Sequence, residues 1–382
     1  MPDCGEFSYE FYDDDKIWIT DYNGKTKELK IPTELDGITV TGIALDSFLY
    51  DDFVEEVYIP PAIELISDDA FVYCKNLKCY HVSEFNMHFC EVDGVLYTRN
   101  MEKLVRFPQN YQTDKKKMIK IPSEVRIIED NAFRCCNCLN AINVPDHVEM
   151  IKSRAFYWST IKEAILPESI DYIGEATFGN CTKLKSVIVK GNNLIHIGVD
   201  AFFGCRSITD IQIPDSCRAI WSNAFAGCTK LESIKLPSEL EYIGMGAFAN
   251  CKKLKAIEMP DKITKMGSQV FWMCTSLEDV KLPESIKIIP KHMFYECQSL
   301  KKVCIPDSVT DVLTNAFEHC DSLKQVIFPN SVMRIIEDDA FSSLKHVTIK
   351  CNPKSYAAIW AKKCGIATKP IVTSLDRFLS ED

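Results

Sequence analysis

No run of apolar residues approaches the roughly 18 needed for a membrane-spanning helix, so no membrane insertion is expected. A positive balance is missing too. Lys and Arg number 44 against 54 Asp and Glu, giving a formal net charge of −10 and a pI near 5.4. A nucleic-acid surface needs clustered cations on a positive background, so nucleic acid is not an expected partner. The one basic run, Lys115 to Lys117, reads as a solvated loop. The opening MPDCGEFSYEFYDDD lacks the basic start and apolar core of a secretory signal. With Met1 as the natural start the chain is expected in the cytoplasm; a removed leader would reverse that expectation.

Recognisable catalytic motifs are also missing. The seven histidines, His81, His88, His147, His196, His292, His319 and His346, form no HExxH and no nucleophile arrangement, and are expected to be solvated. Gly244-Met245-Gly246 is only the start of a dinucleotide fingerprint. Asp13 to Asp15 lacks the ligand spacing of a calcium loop. Cys135 and Cys138 make a single CxxC, whereas a structural zinc site normally takes a second pair. The chain is therefore expected not to be an enzyme and to hold no cofactor and no metal. A catalytic site assembled between distant segments is the remaining alternative.

What the sequence does contain is a period. The phenylalanine of AFAGCTKLESIKLP, Ala224 to Pro237, recurs at Phe48, Phe71, Phe133, Phe156, Phe178, Phe202, Phe225, Phe248, Phe271, Phe294, Phe317 and Phe341, in steps of 22 to 24 residues with one step of 62. Repeats of about 20 to 50 residues mark solenoids, whose rungs pack only on their neighbours. Residues 1–46 read as an N-terminal β cap. It alternates through Ile17, Ile19 and Tyr22, turns at Asn23-Gly24, continues through Leu29 and Ile31, and turns again at Asp36-Gly37 before Val40. The first two repeats occupy 47–79. An irregular, hairpin-like insertion fills 80–117, and regular 23-residue repeats run over 118–350. A C-terminal helical cap and acidic tail occupy 351–382, with Tyr356, Ile359, Trp360 and Lys363 at helical spacing and Gly365 as the stop.

Within a rung, Leu231, Ile234 and Leu236 alternate with Ser233 and Lys235 as a strand does, and Pro237 ends the pairing. The marker Phe is expected to enter the interior beside a small Ala, a burial that stabilises by roughly 1.5–3 kcal/mol. Gly stands four residues before the marker at Gly174, Gly198, Gly244 and Gly267, but Trp221, Pro290 and Leu313 take the same place elsewhere, so a positive φ is not demanded there. Nine of the 18 cysteines lie three residues after the marker: Cys74, Cys136, Cys181, Cys205, Cys228, Cys251, Cys274, Cys297 and Cys320. A free thiol is small and apolar, and its weak donor reaches a backbone carbonyl. Thiols projecting in parallel from stacked rungs are poorly aimed for disulfides. The nine are expected to form a reduced structural ladder, and 18 cysteines without a paired framework favour a reducing compartment.

The rung A-F-x-x-C-x-x-L-x-x-[VI]-x-[IL]-P resembles the BspA-like class of leucine-rich repeats. The segment Ile31 to Ile43, the D-G-V-L-Y run at Asp93 to Tyr97 and the terminal segment Ser355 to Ile366 match it as well. The resemblance implies a leucine-rich-repeat solenoid, mainly β with short helical turns: a single curved right-handed superhelix with a parallel sheet and end caps. It implies no shared catalytic residues. For function it implies adhesion or protein recognition at a surface or in secreted form, by a monomer whose protein partner is a host or matrix protein. An intracellular scaffold or regulatory binding protein is the alternative.

The residues expected to meet a partner fall on two lines. Ile165 and Ile188 are apolar at outward strand positions, and Tyr157, Trp158, Phe203, Trp272 and Tyr295 are aromatics just after the marker. Exposed aromatics are enriched at binding hot spots. Lys235, Glu258 and Lys281 alternate in sign on successive rungs, which reads as a stabilising charge ladder rather than a site.

Overall fold

The computed structural model describes residues 3–112, 119–332, 334–335 and 346–371. The basic run at Lys115 to Lys117, the marker Phe341 and the tail from Ser374 to Asp382 lie outside the described residues. The chain divides into two compact units, Met1–Leu184 and Lys185–Asp382.

Each unit is a β-solenoid whose rungs contribute a longer strand after the marker turn and a two-residue strand before the next. In the first unit, Glu28–Lys30, Glu56–Ile59 and Cys79–Val82 pair in parallel, as do Ala141–Asn143 and Glu163–Leu166. In the second, Lys302–Cys304, Gln325–Ile327, Thr348–Cys351 and Ala367–Pro370 do the same, and the short strands run from His196–Ile197 through Ala219–Ile220 and Tyr242–Ile243 to Lys265–Met266. The register follows the sequence period: Glu56 faces Cys79, and Lys302 faces Gln325. The stretch 231–236 is an exception. It takes the rung path with Leu231 and Leu236 buried, but it forms no assigned strand, and Ile234 is only half-buried.

The markers form the core. Phe107, Phe133, Phe156 and Phe178 stack at 5.0–5.1 Å between ring centres. Phe202, Phe225, Phe248, Phe271, Phe294 and Phe317 stack at 5.2–5.8 Å. The backbone stitches the same corner: the N–H of Phe225 donates to Ala247 O at 2.8 Å, and that of Phe133 donates to Ala155 O at 2.7 Å. Most marker turns are shaped by two left-handed residues; the turn of Phe71 has one, Tyr73. At marker minus two these include Asn131 (φ 57°) and Asn223 (φ 54°); at marker plus two, Tyr73 (φ 62°), Trp158 (φ 61°) and Glu296 (φ 58°). No sequence preference announces the second position, where Tyr, Trp, Met, Glu, Asn and Gly all occur. Around these residues the turns close by three-residue hydrogen bonds, such as Cys181 N to Phe178 O at 3.0 Å.

The cap pairs differently from its sequence pattern. Phe7–Asp13 and Lys16–Tyr22 form an antiparallel hairpin through Asp14-Asp15, and Lys16–Tyr22 then runs parallel to Ile38–Ile43. Asn23-Gly24 is not a hairpin turn, because Glu28–Lys30 belongs to another sheet. Asp36-Gly37 is one, with φ 51° and 78°, joining Glu34–Leu35 to Ile38–Ile43. In 80–117, Phe89–Val92, Val95–Thr98 and Lys103–Arg106 are antiparallel neighbours, after which Lys103–Arg106 pairs in parallel with Ile127–Ile128. Phe107 joins the marker column without the repeat motif. The buried Arg106 guanidinium donates to the carbonyls of Asp68 and Asn131.

The helix Tyr356–Lys363 starts at Ser355, whose hydroxyl accepts from Ala358 N at 3.3 Å, and Gly365 follows it at φ +69°. Its buried face is Ala357, Trp360 and Ala361; Ile359, on the expected face, is 66% exposed. Small alanines let the helix lie close on the last strands, which leaves the longer Ile359 outside.

Candidate interaction surface

The thiol column sits behind the marker turns. The Sγ atoms of Cys74, Cys181, Cys228, Cys251, Cys274, Cys297 and Cys320 each donate to the carbonyl of the preceding rung's marker, at 2.9–3.3 Å. Cys205 is buried in the same column. Cys136 instead meets Cys138 Sγ at 3.2 Å. Gln109 takes the thiol's part in the irregular rung, donating to Phe71 O at 3.3 Å. All 18 cysteines are free thiols. Burial pushes Cys74, Cys181 and Cys274 up to about 12, where they are inert as nucleophiles at neutral pH.

A second polar column was not read from the sequence. Serines after the strand-ending Pro donate one rung back: Ser216 to Leu194 O at 2.7 Å and Ser331 to Val309 O at 2.8 Å. The recurrence of Ser two residues after that Pro, as in Pro214-Asp215-Ser216 and Pro329-Asn330-Ser331, is its signal. Outside, ion pairs repeat at the same interval: Lys75–Asp52 at 2.6 Å, Lys255–Glu232 at 3.1 Å, Lys262–Glu239 and Lys301–Glu278 at 2.5 Å, and Lys281–Glu258. They are exposed, so each contributes little.

The turn edge of the first unit is an aromatic row. Tyr50 stacks on Tyr73 at 4.7 Å, and the Arg134 guanidinium lies 5.3 Å from the Tyr73 ring and 5.3 Å from the Tyr157 ring. Asp69 holds Arg134 at 2.9 Å, and Asn180 donates to the Tyr157 hydroxyl at 3.1 Å. Trp158 meets the edge of Tyr157 at 6.4 Å and is 49% exposed. Tyr50, Tyr73 and Arg134 were missed in sequence because two of them stand at marker plus two, not plus one.

In the second unit Phe203 is 41% exposed. Trp272 and Tyr295 sit half-buried on successive turns, linked through Met273 N to Tyr295 O at 2.8 Å. The Tyr295 ring meets His292 at 5.6 Å and His319 at 5.4 Å. On the strand face Ile165 is half-buried in the first unit, and Ile188 is 44% exposed in the second. Ile327, at the equivalent strand position in a later rung, is 2% exposed and so belongs to the core.

Several histidines are bonded rather than simply solvated. Nε2 of His147 lies 2.9 Å from Pro122 O, and Nε2 of His346 lies 2.9 Å from Asp321 O. His81 contacts Glu56 and Cys79, and these three are the one group among the described residues whose ligand atoms converge enough for a metal. Among the described residues no helix is long and apolar enough to cross a membrane.

Residues 22–90, 109–232 and 218–348 match the BspA type leucine-rich repeat region, in 6 copies. A leucine-rich repeat protein from Bacteroides ovatus ATCC 8483 is similar in structure with a TM-score of 0.64 and 22% identity, over 96% of this chain and 98% of that one. A leucine rich cell surface protein from Faecalibacterium prausnitzii A2-165 is similar with a TM-score of 0.50 and 22% identity, over 99% of this chain and 96% of that one. At such identities the likeness shows the fold alone. No curated protein matches the chain. The family pattern spans most of the sequence, and its marker stack is present in both units: the chain belongs to the BspA-type leucine-rich repeat family.

Proposed function

We propose that the chain is a non-catalytic recognition module that meets a protein partner through the turn edges of its rungs. The observation that carries this is the row Tyr50, Tyr73, Arg134 and Tyr157, whose members clamp one another at the surface. Aromatic and arginine side chains held this way lose little freedom on binding and are the usual hot-spot residues. Trp158, Phe203, Trp272, Tyr295, Ile165 and Ile188 extend the candidate surface within their own units. The family and the likeness to a structure described as a cell surface protein support adhesion to a host or matrix protein. An intracellular scaffold is the second reading, favoured by the 18 free thiols.

The test presents the purified chain to immobilised extracellular-matrix proteins, beside a Tyr73→Ala/Trp158→Ala variant and a Trp272→Ala/Tyr295→Ala variant. A loss of affinity of about tenfold or more in either folded variant, the scale of a hot-spot truncation, supports the surface. Unchanged affinity in both overturns it. No matrix binding, with a partner recovered from the source cell's own cytosol, decides for the scaffold.

A further inference from the structure

The strands Glu56–Ile59 and Cys79–Val82 carry an outward cluster that the solenoid does not need. Their parallel register sets Glu56 opposite Cys79 and Tyr58 opposite His81, and residues two apart share a face. Four functional side chains therefore meet on one patch. His81 Nε2 lies 3.0 Å from Glu56 Oε2 and 3.4 Å from Cys79 Sγ. Around a tetrahedral zinc ion, with bonds of about 2.0–2.3 Å, neighbouring ligand atoms stand about 3.3–3.6 Å apart. The three donor atoms are already near that spacing.

The surroundings hold them there. The Tyr58 hydroxyl donates to the same Glu56 Oε2 at 2.9 Å, and its ring stacks on the His81 imidazole at 4.5 Å and 23°. Such outer contacts orient ligands and set metal affinity. The Asp93-Gly94 turn comes down on the cysteine: a Cβ on Gly94 would lie 2.6 Å from Cys79 Cβ. Lys78, the nearest cation in sequence, is paired with Glu55, and the Lys30 ammonium lies 5.7 Å from the Tyr58 ring centre. Burial, then the charges of Glu56 and Glu91, push the Cys79 thiol up.

We propose that Glu56, Cys79 and His81 bind a borderline-soft divalent cation, zinc above all, with the fourth position open to water. Thiolate and imidazole donors disfavour magnesium and calcium. Three protein ligands leave one tetrahedral position for water.

The chain, stripped with a chelator and kept reduced, is titrated with Zn²⁺ against a chromophoric competitor, and separately with Co²⁺. The expected result is one Zn²⁺ per chain and a sulfur-to-cobalt charge-transfer band. Cys79→Ser and His81→Ala should each weaken binding about tenfold or more, with circular dichroism unchanged because these side chains face outward. Glu56→Gln serves as the conservative third variant should either fail to fold. Cys138→Ser, which breaks the competing pair with Cys136, should leave binding intact. Binding that survives the substitutions at 56, 79 and 81, binding lost in Cys138→Ser instead, or no binding at micromolar Zn²⁺ overturns the site.

Discussion

The thiol of Cys251 donates to the carbonyl of Phe225 at 3.2 Å, and the same carbonyl takes the N–H of Cys228 at 3.1 Å. One oxygen thus joins its own turn to the next. The arrangement repeats at Phe248, which accepts from Cys274 Sγ at 3.1 Å and Cys251 N at 3.3 Å. Sulfur rather than oxygen suits this place because its reach is longer and its desolvation slight.

Replacing Cys251 by Ala removes one weak bond and the packed sulfur, but leaves the Phe225 carbonyl its N–H partner. The expected cost is about 1 kcal/mol. Urea unfolding of the variant checks it. A loss beyond about 3 kcal/mol would show that the ladder acts as one cooperative unit.

Alkali should melt the fold through these thiols. Their folded pKa values are raised, to about 12 for Cys74, Cys181 and Cys274, by burial. Below the ordinary thiol range, about 8.5, both folded and unfolded chains hold the protons and stability is unaffected. Above it the unfolded chain releases protons that the fold retains, so stability falls with pH, by up to about 1.4 kcal/mol per unit for each thiol. The urea midpoint is expected to be flat from pH 6 to 8 and to drop steeply between about pH 9 and 11. A flat profile to pH 11 contradicts the burial of the column.

Gly244 and Gly227 should respond in the opposite order to what their φ angles suggest. Gly227 is left-handed at +75°, but a Cβ there finds nothing nearer than Gly204 at 3.5 Å. Alanine should cost about 1 kcal/mol. Gly244 has ordinary φ, yet its Cβ would sit 2.3 Å from Ser222 N, which is backbone and cannot give way. Gly244→Ala should cost about 3 kcal/mol, read as a shift in urea midpoint. Equal shifts would refute the close approach.

Arg106 holds the irregular segment to the rungs on either side of it by its bonds to Asp68 O and Asn131 O. Arg106→Met should lose about 1.5–3 kcal/mol, and hydrogen exchange should quicken in the strands Phe89–Val92 and Val95–Thr98. An unchanged midpoint would mean that desolvating the guanidinium cancels both bonds.

The 23-residue spacing, the marker Phe, the thiol three residues on and the terminal helix are local regularities of the chain, and they determined the family and the solenoid. A period is visible in one dimension because each rung repeats the same packing with its neighbour. The sequence could not reveal that Phe107 enters the marker column, since the motif around it is absent and only the stack places it there. The helical spacing of Tyr356, Ile359, Trp360 and Lys363 did not say which face packs: Trp360 is buried together with Ala357 and Ala361, which close approach buries rather than hydrophobicity. Tyr73 and Arg134 stand 61 residues apart, and only the folded rungs bring a ring and a guanidinium to 5.3 Å. The same holds for Glu56 and His81, 25 residues apart in sequence and 3.0 Å apart in the fold. Repetition in the chain fixes which residues go inside, whereas the chemistry of the surface depends on non-repeating side chains that register alone brings together.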